Sequence, residues 1–178
     1  MENHKLKHSF KYIAFNIFVA ALASILLVNY VAAAYQISGD SMNTTLKDEE
    51  RVIISRLSLK TGVISRFDIV VLNKPIEPCK SIIKRVIGLP GEIIEIKEGD
   101  VYINNKKLEQ PFLEGTGISV NKEDYMKPLL IEPNHYFVMG DNRSVSRDSR
   151  NYGPVEAKYI YGKTLFRYWP FSRMGKIK

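Results

Sequence analysis

With 178 residues, 45% of them hydrophobic and 25% charged, the chain has room for one domain of ordinary size, and its composition excludes a wholly disordered protein. A mean hydropathy of -0.15 excludes a protein with several membrane spans. The net charge of +7 is unevenly placed: residues 143–178 hold nine Lys and Arg against two Asp and Glu, whereas residues 38–142 hold 14 against 16. Such a basic end suits nucleic acid or anionic lipid, and a hydrophobic segment on the same chain favours lipid. Cys79 is the single cysteine, which excludes an internal disulfide and a cysteine-based zinc site.

Residues 1–11 form a basic flank carrying Lys5, Lys7 and Lys11. The next 26 positions, residues 12–37, contain no charged side chain and no histidine. As a helix at about 1.5 Å per residue this segment reaches roughly 39 Å, more than the roughly 30 Å of a bilayer core. Tyr12, Tyr30 and Tyr35 suit the two interfaces. The excess of Lys on the N-terminal side places that end in the cytoplasm and residues 38–178 outside the cell membrane. A cleavable signal peptide is the competing reading, because Ala32-Ala33-Ala34 offers a small-residue cleavage site. The apolar stretch is longer than the roughly 7–15 residues of such a signal, which favours an uncleaved anchor. The expected organisation is a cytoplasmic flank (1–11), one transmembrane helix (12–37) and an extracytoplasmic domain (38–178).

Beyond the anchor the pattern changes to short β-rich runs separated by turn residues. Strands are expected at 51–55, 67–72, 81–87, 93–97 and 101–103, with Asn104-Asn105 turning the chain into 106–108. Two more are expected at 135–139 and 159–168, and 109–133 reads as loop with one short element. The domain is therefore expected to be mainly β, built of antiparallel sheet.

Few residues are equipped for chemistry. His135 is the only histidine beyond the anchor, and it lies inside a strand pattern. No histidines and carboxylates fall at metal-ligand spacing. Lys84 is more unusual, because strand alternation places it on one face between Ile82 and Val86. A lysine desolvated there loses its preference for the charged form and becomes able to act as a general base for a serine. A snorkelling surface lysine is the alternative. Ser41 is the serine candidate, in Ser38-Gly39-Asp40-Ser41-Met42-Asn43-Thr44-Thr45-Leu46, where Gly39 permits a tight turn that aims amide N–H groups at an oxyanion. The same residues also make ordinary loop chemistry. A third cluster, 140–150, packs two carboxylates, three guanidiniums and three hydroxyls into eleven residues, a pattern that a solvated turn shares.

Together these three clusters resemble type I signal peptidase, the membrane-bound leader peptidase. Ser41-Met42 and Thr45-Leu46 match its nucleophile motif, Lys84-Arg-Val-Ile-Gly-Leu-Pro-Gly91 its general-base motif, and Gly140-Asp-Asn-Arg with Ser146-x-Asp148-Ser149-Arg150 its third motif. The resemblance implies a signal-peptidase-like β fold and a serine endopeptidase that removes signal peptides from secreted preproteins without metal or cofactor. It implies Ser41 as nucleophile, Lys84 as base, Ser146 as a hydrogen-bond partner orienting the Lys84 amine, and an Asp148–Arg150 salt bridge. Gly39 stands where some relatives carry a serine that donates to the oxyanion, which leaves the Ser41 N–H and a second donor without a name. By the same analogy Ile37, Met42, Leu46, Ile82 and Ile83 are walls of the substrate pocket. The implied partners are signal peptides and the lipid bilayer, and no nucleic acid. Two departures stand out: Thr44 replaces the usual Pro, which is expected to loosen that turn. Phe67 replaces the usual Gly, which is expected to change packing only. The rival readings are an inactive or accessory anchored paralogue acting as a binding module, and a self-cleaving regulator of the repressor type. The second needs a DNA-binding segment where the anchor lies.

Overall fold

The structure, a computed structural model, describes residues 2–30, 32–56, 64–73, 82–117 and 120–177. Cys79 and Ser81 lie outside these residues, as do the side chains of the flank's Lys5 and Lys7. The first element is a long helix, α1 (Glu2–Tyr30). The strands described are, in chain order, β1 (Ala32–Gln36), β2 (Arg51–Ser55), β3 (Ile69–Leu72), β4 (Ile82–Gly88), β5 (Ile93–Lys97), β6 (Asp100–Ile103), β7 (Lys106–Lys107), β8 (Met126–Leu130), β9 (His135–Met139), β10 (Val155–Glu156), β11 (Ile160–Trp169) and β12 (Gly175–Lys176). A one-turn helix, α2 (Ser149–Tyr152), and three short 3-10 turns complete the set.

The strands form two antiparallel sheets. The larger runs β1-β2-β11-β3-β4-β9-β10, with β12 added to β11, and the smaller runs β7-β6-β5-β8. In β3 all four residues are buried, because both faces of the large sheet are covered. Ile69 and Val71 face one cluster, with Ile37, Met42, Leu46 and Ile83. Val70 and Leu72 face another, with Val86 and Val138. A third cluster joins the sheets through Ile87, Phe137 and Met139 on one side and Ile94, Ile96 and Val101 on the other. Each such side chain contributes about 1.5–3 kcal/mol on full burial.

The expected helix 12–37 is corrected at its C-terminal end. Residues 32–36 are the edge strand β1, paired with β2 from Ala32↔Ser55 to Gln36↔Arg51. Ala33 and Tyr35 turn toward the core in a two-residue period, and Ile37 is 1% exposed within it. An uncharged run does not distinguish a lipid-facing helix from an edge strand with one buried face. Among the described residues no helix is long and apolar enough to cross a membrane. The stretch 109–133 contains a 3-10 turn (Pro111–Leu113) and β8, whose pairing with β5 is interrupted by a bulge between Ile94 and Ile96.

The basic C-terminal end is also less available than its charge suggests. Arg143 is buried, Arg150 is paired with Asp148 and Asp124, Arg167 and Arg173 share Glu50, Lys163 pairs with Asp68, and Lys158 with Glu156. Much of the excess is internal wiring rather than a free surface for lipid.

Candidate active site

The loop from Ile37 to Glu50 connects β1 to β2 and carries the candidate nucleophile. Its base is closed by two backbone bonds, Ile37 N to Glu50 O at 2.8 Å and Glu49 N to Ile37 O at 3.0 Å. Gly39 has φ +91°, a conformation that L side chains rarely adopt, and its N–H donates to Asp48 Oδ1 at 2.8 Å. Beyond it, Asn43 N bonds Asp40 O and Leu46 N bonds Met42 O, so the chain coils through a single turn. That turn sinks Met42 and Leu46 into the core and leaves Ser41 half-buried above them.

Lys84 reaches Ser41 from the middle of β4. Its Nζ donates to Ser41 Oγ at 2.7 Å, and the residue is 3% exposed. On the sheet face that Lys84 shares lie Ile82 and Val86 along its own strand and Val70 across from it in β3. Arg85, the next residue, points the other way. Its guanidinium grips Asp141 through Nε–Oδ1 at 2.8 Å and Nη2–Oδ2 at 2.7 Å, both residues 1% exposed, and lies 4.0 Å above the Phe112 ring. Asp141 in turn accepts from Thr45 Oγ1 at 2.6 Å. The Arg85 charge is thus spent on Asp141.

The loop after β9 closes over the pair. Gly140 has no room for a side chain: a Cβ would meet Ser146 Oγ at 2.2 Å and Ser41 O at 2.4 Å. With glycine there, Asn142 N bonds Ser41 O at 3.0 Å, and Asn142 Nδ2 bonds Asp40 O at 3.2 Å. Asp148 caps α2 and accepts the Gly140 N–H at 3.0 Å. Arg150 meets the Asp148 carboxylate as a fork, Nε–Oδ1 at 2.9 Å and Nη2–Oδ2 at 3.0 Å, while its Nη1 reaches Asp124 at 2.6 Å. Burial alone would raise the Asp148 pKa, but the Arg150 bonds and charge, the Gly140 N–H and the Ser146 hydroxyl outweigh it and hold the carboxyl below its usual range. Arg143 is also buried, and this desolvation, reinforced by the Arg150 charge, lowers its pKa to about 10.

The family model described as "Signal peptidase, peptidase S26" matches residues 10–169. The chain belongs to the signal peptidase family, peptidase S26. It is 38% identical to "Signal peptidase I S" of Bacillus subtilis over 182 residues, covering 98% of this chain and 97% of that protein. It is 35% identical to "Signal peptidase IB" of Staphylococcus aureus over 171 residues, 88% of each chain. The crystal structure of a signal peptidase I from Enterococcus faecalis matches 57% of this chain and 96% of that one, at 32% identity and a TM-score of 0.49.

Among the positions that the signal peptidase resemblance singles out, the structure brings Ser41 and Lys84 into contact and Asp148 and Arg150 into another. Ser146 differs from expectation. Its hydroxyl is buried with no partner at full hydrogen-bond geometry, and it sits against Gly140, close enough to the Asp148 carboxylate to help keep it ionised. The expected bond to the Lys84 amine is not formed. Of the expected pocket walls, Ile37, Met42, Leu46 and Ile83 share one cluster, whereas Ile82 packs on the opposite face. Strand alternation in β4 separates Ile82 from Ile83.

The two departures from the signal peptidase pattern have different consequences. Phe67 has φ +71°, so the position demands the left-handed backbone that glycine adopts without strain. The effect therefore extends beyond packing, although the ring is also used, edge-on to Phe112 at 5.3 Å. The Phe67 carbonyl accepts from Arg85 Nη1 at 2.9 Å. Thr44 lends its carbonyl to Arg173 at 3.2 Å, and among the described residues its N–H meets no acceptor.

His135 is half-buried at the start of β9, its Nδ1 against Pro133 O at 3.0 Å, and it pairs with Glu156 of the edge strand β10. At about 3.3 Å per residue it is roughly 15 Å along β9 from the Gly140 end. A cavity of about 620 Å³ lies on the outer face of the small sheet, between Tyr102 and Tyr125, and holds neither Ser41 nor Lys84. Sequence reasoning missed Arg85, Asp141 and Thr45 as a unit. Nothing local signals that residues 40 and 56 positions apart share one carboxylate.

Proposed function

We propose that this chain is a membrane-anchored serine endopeptidase that removes signal peptides from preproteins, with Ser41 as nucleophile and Lys84 as general base. The observation that carries the reading is the 2.7 Å contact between Lys84 Nζ and Ser41 Oγ at a lysine only 3% exposed. Loss of water around the amine favours its neutral form, which is the form able to take a proton.

In this reading neutral Lys84 accepts the Ser41 hydroxyl proton as Oγ bonds to the scissile carbonyl carbon. The carbonyl oxygen becomes an oxyanion that the Ser41 N–H stabilises, together with a second donor. Collapse breaks the C–N bond, and the Lys84 ammonium gives its proton to the departing amine. Water, deprotonated by Lys84, then releases the acyl group from Ser41. Asp148 and Arg150 hold the loop that bonds Ser41 O, and Arg85 and Asp141 hold Thr45 four residues beyond the nucleophile. The substrate lies extended along a strand edge.

Anchoring rests on α1. Tyr12, Ile13, Phe15, Ile17, Phe18 and Val19 are all exposed and are distributed around the whole circumference of the helix. Such a helix suits lipid on every side, and the Lys flank before it favours an N-terminus in the cytoplasm. The deciding experiment is cleavage of a preprotein by the detergent-purified full chain and by Ser41→Ala. The native chain should release the signal peptide and the variant should not. Equal cleavage by both would refute the assignment, and binding without any cleavage would favour the accessory-module reading.

A further inference from the structure

The nucleophile loop is held from a second direction by residues that lie 117–129 positions further along the chain. Arg167, near the end of β11, donates from Nη1 to Thr45 O at 2.9 Å and to Glu50 Oε2 at 3.1 Å. Arg173, in the 3-10 turn Phe171–Arg173, donates from Nη2 to Thr44 O at 3.2 Å and from Nη1 to Glu50 Oε1 at 2.6 Å. The two arginines are joined as well, since Arg167 Nε donates to Arg173 O at 2.5 Å. Glu50, 3% exposed, supplies one carboxylate to two guanidiniums and also accepts Lys47 N at 3.1 Å. Its backbone carbonyl closes the base of the loop onto Ile37.

We propose that Arg167, Glu50 and Arg173 form a clamp that positions Ser41, which makes the segment after β11 part of the catalytic apparatus without touching substrate. Thr45 is the point of purchase. Its hydroxyl is fixed by Asp141 on one side and its carbonyl by Arg167 on the other, so the turn beginning at Ser41 has little freedom to rotate. Guanidinium suits the task because its planar fork bonds a carboxylate and a peptide carbonyl at once, which an ammonium on a flexible stem does not. Misplacing a nucleophile by about 1 Å costs on the order of a hundredfold in rate, so modest slack in this loop is enough to be seen in turnover.

The proposal rests on the peptidase reading, and its test separates the two. Full-length Arg173→Ala and Arg173→Lys, with the native chain, are compared in detergent for kcat and KM on a preprotein and for amide hydrogen exchange. For Arg173→Ala we expect kcat to fall roughly ten- to a hundredfold with KM within about twofold. Amides of residues 41–46 should exchange faster while those of β5 and β6 stay as in the native chain. Arg173→Lys should recover part of kcat, and added guanidinium ion should partly restore Arg173→Ala. A purely structural role would lower thermal stability and leave kcat of the folded protein unchanged. Unchanged kcat, unchanged exchange at 41–46, or a loss confined to KM overturns the clamp. If the native chain cleaves nothing, it is the peptidase reading that fails, and the exchange comparison decides the clamp alone.

Discussion

In the proposed mechanism the identity of residue 84 carries the chemistry, and it can be challenged by one substitution that preserves charge and approximate length. A general base near neutral pH must be able to release its proton, and the guanidinium of arginine does not in proteins. Lys84→Arg should therefore fold, as judged by circular dichroism, and cleave no faster than Ser41→Ala. The native pH–rate profile should have an acid limb that belongs to the lysine, because protonation removes the base. Turnover by Lys84→Arg above that background would assign proton transfer to another group. His135, the obvious reserve from the sequence, is badly placed for it, at the end of β9 far from Gly140. Arg85 shows the limit of reading residues one at a time. In sequence it is a second positive charge beside the base, whereas in the fold it faces away and is neutralised by Asp141. Phe67 shows the same limit for backbone: no side-chain pattern reveals a φ of +71°.

At the scale of elements, the loop after β9 is held together by one buried carboxylate. Asp148 accepts from Gly140, from Arg150 and from the first turn of α2, and its pKa is lower folded than the roughly 3.9 of an unfolded aspartate. The contribution of these bonds is therefore fully present above about pH 4 and is lost as the pH falls through the folded value. Thermal unfolding followed from pH 7 down to pH 2 should show the native chain losing stability more steeply below about pH 4 than Asp148→Asn, which has no such proton to bind. Parallel curves for the two proteins would remove Asp148 from the acid response. Elements were legible where pattern is local. The strands 93–97 and 135–139 are found at the expected residues, since alternation and flanking turns mark them. β1 was hidden inside an uncharged run, and β8 was hidden by Lys127 and Pro128, which interrupt its alternation. The contact of Ser41 with Lys84 spans 43 positions, and family resemblance alone joined them before the fold did. The clamp on Thr45 has no local signature at all, since each arginine reads as a surface charge.

For the whole molecule, the question is where the domain stands relative to a bilayer. Residue 31 alone separates α1 from β1, so the sheet edge begins where the helix ends. The eleven steps from Tyr30 to Ser41 span at most roughly 40 Å of extended chain, and β1 directs that span along β2. In the proposed reading, with α1 held by a bilayer, Ser41 is tethered within reach of the membrane surface, where a substrate whose own apolar segment lies in lipid would present its cleavage site. The same reading needs the domain on the far side from the cytoplasm, the orientation that the positive-inside rule expects from the Lys5, Lys7 and Lys11 flank. Protease added to intact spheroplasts should then digest residues 38–178 and leave an N-terminal fragment containing α1 in the membrane. Complete protection of the domain until the membrane is permeabilised would reverse the orientation. Release of the whole protein by alkaline carbonate would show that α1 lies on the membrane surface instead of spanning it, and Ser41 would then need a different route to its substrate.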